Sequence, residues 1–131
     1  PETAIMLDID HFKLVNDTYG HQAGDKVIQA LANVIKQCVR ETDLAGRYGG
    51  EEFAVILTDA KLDDALQVAE RIRRAAEATV VEHEGQNITF TVSLGLSEFN
   101  ESFDNEMQWL DRADQALYKA KEGGRNQAVS L

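Results

Sequence analysis

The chain has 131 residues, which is enough for one domain with a substantial core and too few for two. Apolar residues make up 44% of it without any long apolar run, which excludes a transmembrane helix, and nothing near the start resembles a signal peptide. A formal net charge of −10 argues against broad nucleic-acid binding, so we expect neither a nucleic-acid partner nor membrane contact from this segment. The single cysteine, Cys38, predicts a buried core thiol and fits a reducing, cytoplasmic location, even if the parent protein is anchored in a membrane.

The first predicted elements are a buried strand and two helices. An apolar run over residues 4–9 predicts the strand, which ends in two acids, Asp8 and Asp10. A short helix is predicted over residues 11–18, and a longer amphipathic helix over residues 25–40. The apolar stripe of the longer helix consists of Val27, Leu31, Val34, Ile35 and Cys38.

The rest of the chain predicts a hairpin, two more helices and two further strands. The ranges are a hairpin at 44–57, a helix at 62–78, a strand at 88–96, a helix at 106–121 and a last strand at 127–129, with a short strand near 80–81 left open. The order is β-α-α-β-β-α-β-α-β. Its interleaved hairpin and crossover connections predict an α/β (α+β) fold, with one mixed sheet flanked by helices.

The tip of the predicted hairpin carries the most informative motif, Gly49-Gly50-Glu51-Glu52. Adjacent glycines adopt the positive φ angles of a tight turn without a Cβ clash, and they let a ligand approach the bare backbone. If the first strand lies beside this hairpin, Asp8 converges with Glu51 or Glu52 on a site whose oxygens suit a divalent cation such as Mg²⁺.

Two alternatives compete with a metal site. The hairpin could be a surface turn with solvated acids, and Asp10 could cap the following helix. For Asp8 we favour the metal site, because an unpaired carboxylate at the end of a buried strand is costly to desolvate.

Five segments of the sequence carry a family resemblance. They are Leu7-Asp8-Ile9-Asp10-His11-Phe12-Lys13, Asn16-Asp17-Thr18-Tyr19-Gly20-His21, Gly24-Asp25, Arg47-Tyr48-Gly49-Gly50-Glu51-Glu52-Phe53 and Ala120-Lys121-Glu122-Gly123-Gly124-Arg125-Asn126. In this order and spacing they resemble the GGDEF family, bacterial diguanylate cyclases that join two GTP molecules into cyclic di-GMP. The resemblance runs from about residue 4 to the C-terminus. It implies a largely antiparallel sheet of the nucleotidyl-cyclase type, akin to the palm of polymerases.

The resemblance implies a Mg²⁺ (or Mn²⁺) site formed by Asp8, the backbone carbonyl of Ile9 and Glu51. There the 3′-hydroxyl of one nucleotide attacks the α-phosphate of another and pyrophosphate leaves. Glu51 stands where the family name has Asp, and both residue types occur in active members. Glu52 is expected to support the metal site or the attacking hydroxyl, and Lys13 joins Glu51 and Glu52 as a catalytic candidate. Which group removes the hydroxyl proton is left open.

For GTP binding the resemblance implies a guanine site and a phosphate site. Asn16 and Asp25 are expected to recognise guanine, because a carboxylate accepts hydrogen bonds from its N1–H and amine but is repelled by the N1 lone pair of adenine. The alternative for Asp25 is a helix N-cap. Lys121 and Arg125 are expected to bind the phosphates, although a helix macrodipole alone also favours cations there. The remaining candidates for GTP binding are Gly49, Gly50 and Phe12. Phe12 is expected to pack near the base.

A candidate regulatory site precedes the hairpin. Arg40-Glu41-Thr42-Asp43 resembles the Arg-x-x-Asp inhibitory site at which many relatives bind their own product, and Arg71 resembles a second inhibitory arginine. Arginine can donate to O6 and N7 of guanine, and Asp can accept from its amine edge. The alternatives are a solvated ion pair for Arg40 and Asp43 and a solvated helix face for Arg71.

The resemblance covers the chain as one GGDEF domain, residues 1–131. We expect it to lack the family's usual N-terminal segment, with its Asp-x-Leu-Thr-x-Leu-x-Asn-Arg signature, and any sensory domain. Because each site of the family holds one GTP, turnover is expected to need a second GGDEF domain in a homodimer. A non-catalytic module that binds GTP or cyclic di-GMP stays open as an alternative. An enzyme that cyclises a single nucleotide is disfavoured by Asp25 and by the hairpin spacing.

Overall fold

The computed structural model describes residues 1–131 and contains seven strands and four helices. In chain order these are β1 (Glu2–Ile9), α1 (Phe12–Tyr19), α2 (His21–Cys38), β2 (Leu44–Arg47), β3 (Glu52–Thr58), α3 (Leu62–Glu77), β4 (Val81–His83), β5 (Gln86–Ile88), β6 (Val92–Glu98), α4 (Glu106–Glu122) and β7 (Ala128–Ser130). No helix is both long and apolar enough to cross a bilayer.

Five of the strands form one sheet in the order β2-β3-β1-β6-β7. All its neighbouring strands are antiparallel except β6 and β7, which are parallel. This confirms the predicted mixed, largely antiparallel sheet flanked by helices. The register places Asp8, near the end of the central strand β1, between Glu52 on β3 and Ser93 on β6. The pairing of these three strands therefore fixes the end of the sheet at which the acids of the motifs meet.

The alternation of side chains along β1 divides the core between the two faces of the sheet. Ile5, Leu7 and Ile9 belong to the larger cluster, to which α2 and α3 contribute their apolar stripes. Ala4 and Met6 face α4, in a smaller cluster with its Trp109, Ala113 and Leu117. Since both faces of β1 are covered, the strand reads as a continuous apolar run in the sequence.

Helix α4 packs directly on the backbone of β6. A Cβ placed on Gly95 would lie 2.0 Å from the backbone N of Leu117 and 2.3 Å from the backbone O of Ala113. Only glycine allows this approach. The close packing brings the last turn of α4, with Lys121, to the end of β1.

The predicted strand at 88–96 is wrong, because the chain changes partners within it. β5 pairs with β4 in a separate two-stranded sheet, and the central sheet resumes only at β6. Between them the carbonyl of Thr91 accepts a hydrogen bond from the backbone N–H of Asp10. Ile88, Phe90 and Val92 are all buried, so the apolar alternation runs through the break and conceals it. The element order therefore contains two more strands than predicted.

The long helix also begins earlier than the predicted residue 25. Gly20, with a φ of 95°, separates α1 from α2, and its carbonyl accepts a hydrogen bond from the N–H of Gly24. Asp25 therefore lies inside α2, and the N-cap alternative for it is wrong. Cys38 ends α2 and packs on the larger cluster while only half-buried, so the prediction of a buried thiol is correct only in part.

Candidate active site

The site is centred on Asp8, whose side chain is only 8% exposed. Its Oδ2 lies 2.5 Å from Nζ of Lys121, whereas its Oδ1 is buried without a hydrogen-bond partner. Burial raises the pKa of the Asp8 carboxyl above its usual range; Lys121 opposes the shift, and the negative charges of Asp10 and Glu51 add to it. A buried acceptor without a partner is costly, so this oxygen fits a cation that the chain does not itself supply.

The hairpin brings further carboxylates to Asp8. Glu52 begins β3 and pairs with Asp8 in register, and Glu51 directly precedes it. Burial raises the pKa of Glu52, and the charges of Asp114 on α4 and of Asp8 raise it further, while Lys121 opposes them. The site thus holds a surplus of negative charge around one lysine, as a divalent cation requires.

The chemistry of these donors fits Mg²⁺ or Mn²⁺, both of which take oxygen ligands. The predicted set has two carboxylates, Asp8 and Glu51, and the carbonyl of Ile9. No group of three or more His, Cys, Asp or Glu side chains is arranged to hold a metal ion. The predicted set accordingly has only two such side chains, and its third member is a backbone carbonyl.

The hairpin tip is closed differently from the predicted glycine turn. Neither Gly49 nor Gly50 has a positive φ angle, so that expectation is wrong. The backbone N–H groups of Tyr48 and Gly49 both donate to the carbonyl of Glu52, and the guanidinium of Arg47 donates to the carbonyls of Gly49 and Gly50. Nothing lies within 4 Å of a Cβ built on Gly50. The outer face of the tip is therefore open to a ligand.

Helices α1 and α2 bring the candidate guanine-binding residues together. Oδ1 of Asn16 is buried without a hydrogen-bond partner, and a Cβ built on Gly24 would lie 1.9 Å from it. The same Cβ would lie 3.1 Å from the ring of Phe12. Asp25, next to Gly24, is exposed. The unpartnered oxygen of Asn16, the half-buried ring of Phe12 and the exposed carboxylate of Asp25 thus lie around Gly24.

The two candidate phosphate-binding cations and the catalytic candidate Lys13 differ in position. Lys121 is half-exposed and pairs with Asp8. Arg125 is exposed in the loop after α4, with a φ of 64°. Lys13 is exposed in the first turn of α1 and forms no ion pair. The structure therefore places Lys121 at the acidic site and does not bring Lys13 into contact with it.

The candidate inhibitory residues line one cavity of about 270 Å³, which includes Arg40, Asp43 and Arg71. The predicted ion pair is present, with Nη2 of Arg40 3.4 Å from Oδ1 of Asp43. It is not a solvated pair, since the side chain of Asp43 is 2% exposed while that of Arg40 is 60% exposed. The carboxylate also accepts from the backbone N–H groups of Arg40 and Thr58. Burial raises the pKa of Asp43, but these donors and the Arg40 guanidinium outweigh burial and hold the pKa below its usual value.

Asp10 is the residue that sequence reasoning missed. It does not cap α1: the N-cap position is His11, and no side chain caps that helix. Instead its carboxylate accepts hydrogen bonds from Thr91, Ser93 and the backbone N–H of Asn126. These partners are 81 to 116 residues away in the chain, so no local sequence pattern indicates them. The only signal is the spacing of two acids at the end of a buried strand.

Comparison with known proteins gives consistent matches over nearly the entire chain. Residues 1–127 match the family model described as diguanylate cyclase, GGDEF domain. The chain is 46% identical over 125 residues to diguanylate cyclase A of Treponema denticola, covering 95% of this chain and 34% of that protein. It is 44% identical over 131 residues to the response regulator PleD of Caulobacter vibrioides, covering 98% of this chain and 29% of that protein. The chain thus spans about a third of the length of these curated relatives.

Solved structures show the same similarity in three dimensions. One is the GGDEF domain of DgcB from Caulobacter crescentus in complex with c-di-GMP, with a TM-score of 0.93 and 37% identity, covering 98% of this chain and 77% of that one. Another is the active GGEEF domain of a diguanylate cyclase from Vibrio cholerae, with a TM-score of 0.91 and 33% identity, covering 98% of this chain and 81% of that one.

Proposed function

The chain belongs to the GGDEF family of diguanylate cyclases, and on that premise we propose that it condenses two molecules of GTP into cyclic di-GMP. In each of two steps a 3′-hydroxyl oxygen releases its proton to solvent and bonds to an α-phosphorus, the bond from that phosphorus to the oxygen bridging it to the β-phosphate breaks, and pyrophosphate leaves. The observation that carries the proposal is the buried carboxylate of Asp8, with Oδ1 unpartnered, at the strand edge where Glu51 and Glu52 meet it.

Asp8, the carbonyl of Ile9 and Glu51 would hold the Mg²⁺ or Mn²⁺ ion. Such an ion supplies charge neutralisation at the triphosphate and polarises the phosphoryl oxygens. Lys121 forms an ion pair with Asp8. The ammonium group of Lys121 and the guanidinium group of Arg125 are the cations that would bind the phosphates. Glu52, whose pKa is raised, supports the attacking hydroxyl or the metal ligands.

Guanine selection rests on Asn16 and Asp25. Oδ1 of Asn16 has no partner within the chain, so it can accept from the base without losing an internal bond. Asp25 is exposed and does not cap α2. A carboxylate and an amide facing the N1–H and amine edge favour guanine over adenine. The half-buried ring of Phe12 supplies apolar contact near the base.

The partner in catalysis is a second copy of the domain. Each chain presents one guanine site and one acidic edge, whereas the product contains two nucleotides. Two chains placed with these edges facing each other would supply one GTP each.

Product inhibition is the proposed role of the cavity lined by Arg40, Asp43 and Arg71. Two guanidinium groups around a cavity of about 270 Å³ suit the acceptors of guanine and the phosphates of a cyclic dinucleotide. DgcB of Caulobacter crescentus, a structural relative, was crystallised with c-di-GMP.

Incubation of the protein with GTP and Mg²⁺, followed by nucleotide chromatography, tests the activity. Glu51→Gln is expected to lower turnover by about a hundredfold or more while sparing the fold, because it removes one charged metal ligand. Glu82→Gln, an exposed acid on β4, is the matched control and should turn over like the parent.

Two results would contradict the proposal. Full activity in Glu51→Gln would remove the metal assignment. GTP binding without cyclic di-GMP at any concentration of the parent protein would favour the non-catalytic binding module.

A further inference from the structure

The loop after α4 contains three consecutive residues in the left-handed region. The φ angles are 119° at Gly124, 64° at Arg125 and 47° at Asn126. Glycine adopts such angles freely, but Arg and Asn do so at a conformational cost that the surrounding contacts must offset. The loop carries Arg125, so its conformation decides where that guanidinium can reach.

Asp10 is the anchor of this loop. It is 6% exposed, and its Oδ2 accepts from the backbone N–H of Asn126 at 3.0 Å and from the hydroxyl of Thr91 at 2.7 Å. Its Oδ1 accepts from the hydroxyl of Ser93 at 2.6 Å. Both oxygens are therefore engaged within the chain, in contrast to Asp8, whose Oδ1 has no partner.

The side chain of Asn126 ties the same loop to the last turn of α3. Its Oδ1 accepts from Nη1 of Arg73 at 3.0 Å, and its Nδ2 donates to Oε2 of Glu77 at 2.7 Å. Asn126 thus joins Asp10, the residue after β1, through its backbone and α3 through its side chain. Both attachments act on Asn126, the last residue of the left-handed segment, and the backbone N–H of Arg125 donates to the carbonyl of Ala120 at 3.0 Å.

We propose that Asp10 is a positioning residue for phosphate binding, which fixes the left-handed loop and thereby places Arg125 at the end of β1. This inference rests on the proposed function, because it takes Arg125 to bind the phosphates of GTP. It separates the roles of two acids that stand one residue apart: Asp8 faces the ligand, and Asp10 shapes the loop that binds it.

The test compares binding of 3′-deoxy-GTP and 3′-deoxyguanosine by calorimetry, because neither ligand can be attacked at a 3′-hydroxyl. The ratio of the two affinities measures the phosphate contribution. Arg125→Ala should lower this ratio about tenfold, as expected for one charge-assisted contact, and Asp10→Ala should lower it by a similar factor. The double variant should be no lower than Arg125→Ala alone, because Asp10 acts through Arg125.

A conservative variant distinguishes positioning from direct cation binding. Asp10→Asn can keep a carbonyl oxygen toward Asn126 and turn its amide toward the hydroxyl of Ser93, so the ratio should stay within about threefold of the parent. If Asp10 bound a cation directly, the neutral amide would fail as the alanine does. Ile88→Val, which removes one buried methylene from β5, controls for a general loss of stability.

Asn126 provides a second test that does not remove a buried charge. Asn126→Ala and Asn126→Gly both lose the contacts to Arg73 and Glu77, but only glycine adopts a φ of 47° freely. The affinity ratio should therefore fall more for alanine than for glycine.

The outcomes separate the inference from the proposed function. An unchanged ratio in Arg125→Ala would remove its phosphate role and overturn both. A normal effect of Arg125→Ala with an unchanged ratio in Asp10→Ala, or with effects that multiply in the double variant, would overturn the positioning role alone. Equal ratios for the two Asn126 variants would also overturn it.

Discussion

A methyl group added at Gly24 should weaken GTP binding without lowering the stability of the fold. Its Cβ would lie 1.9 Å from Oδ1 of Asn16, the end of a side chain that can rotate away, and 3.1 Å from the ring of Phe12. Alanine is also favoured over glycine within a helix by up to about 1 kcal/mol. We expect Gly24→Ala to keep the melting temperature near that of the parent and to weaken GTP binding about tenfold, the effect of one lost hydrogen bond to the base.

Calorimetric GTP titration beside a thermal melt checks this prediction. Gln22→Ala is the control, because it places alanine at an exposed position in the first turn of the same helix. GTP affinity equal to the parent's in Gly24→Ala would mean that Asn16 and Phe12 take no part in binding the base.

Arg40 gives the cleanest test of the inhibitory cavity. Its side chain is 60% exposed, and Asp43 retains the backbone N–H bonds from Arg40 and Thr58 without it. Arg40→Ala should therefore cost little stability while raising the cyclic di-GMP concentration for half-inhibition by about tenfold or more. Asp43→Ala is a poor substitute, since it leaves two backbone donors without their acceptor at a cost of about 1–3 kcal/mol.

The measurement is turnover as a function of added product. Arg112→Ala, an exposed arginine on α4 outside the cavity, should be inhibited like the parent. Unchanged sensitivity in Arg40→Ala would leave Arg40 and Asp43 as a structural pair.

The motifs of the sequence indicated which residues share the candidate site, but not all of the contacts that hold them there. Asp8, Glu51 and Lys121 stand in recognisable segments, and the structure brings them to one edge of the sheet. Asp10 stands in the same segment as Asp8, yet its partners come from β6 and from the loop after α4. Their approach depends on tertiary pairing that no local pattern contains.

Among the secondary-structure elements, the helices were easier to predict than the ends of the strands. The apolar stripe of α3 is four buried residues on one face, as its period requires. The break between β5 and β6 could not be read from the apolar pattern of the sequence, because side chains on both sides of it are buried in the same core. The start of α2 was missed because Gly20 is the only residue between α1 and α2.

The packing of α4 on β6 predicts the effect of Gly95→Ala. The added Cβ would meet the backbone of Leu117 at 2.0 Å and of Ala113 at 2.3 Å, and backbone cannot rotate away as a side chain does. The helix would have to move off the sheet, at a cost of about 2 kcal/mol or more. Because Lys121 lies on the last turn of that helix, GTP binding should weaken as well.

Urea unfolding and GTP titration measure the two effects of Gly95→Ala. Gly46→Ala is the matched control, a strand glycine with nothing within 4 Å of its Cβ position. Stability equal to the parent's would show that α4 does not depend on a bare backbone at this contact.

Over the entire chain, negative charge is the dominant electrostatic feature. There are 23 acidic residues against 13 basic ones, and the candidate site adds several carboxylates around one lysine. A triphosphate approaches such a surface only when cations neutralise it locally, so the proposed function calls for both the metal and the candidate basic residues. The same charge makes two copies repel each other at low ionic strength, and the proposed pairing would have to overcome that repulsion.

Pairing of two copies predicts a characteristic concentration dependence. Well below the dissociation constant, the concentration of dimers rises with the square of the total protein concentration, so doubling the protein should increase the rate of cyclic di-GMP formation about fourfold. A second experiment adds an excess of the Glu51→Gln variant to dilute parent protein, so that most parent chains pair with a variant chain. In the mixed pair only one acidic edge is intact, so one phosphodiester bond forms and the linear dinucleotide should accumulate instead of the cyclic product. A rate that rises only linearly, with no linear product in the mixture, would show that a single chain completes both bonds and would overturn the homodimer.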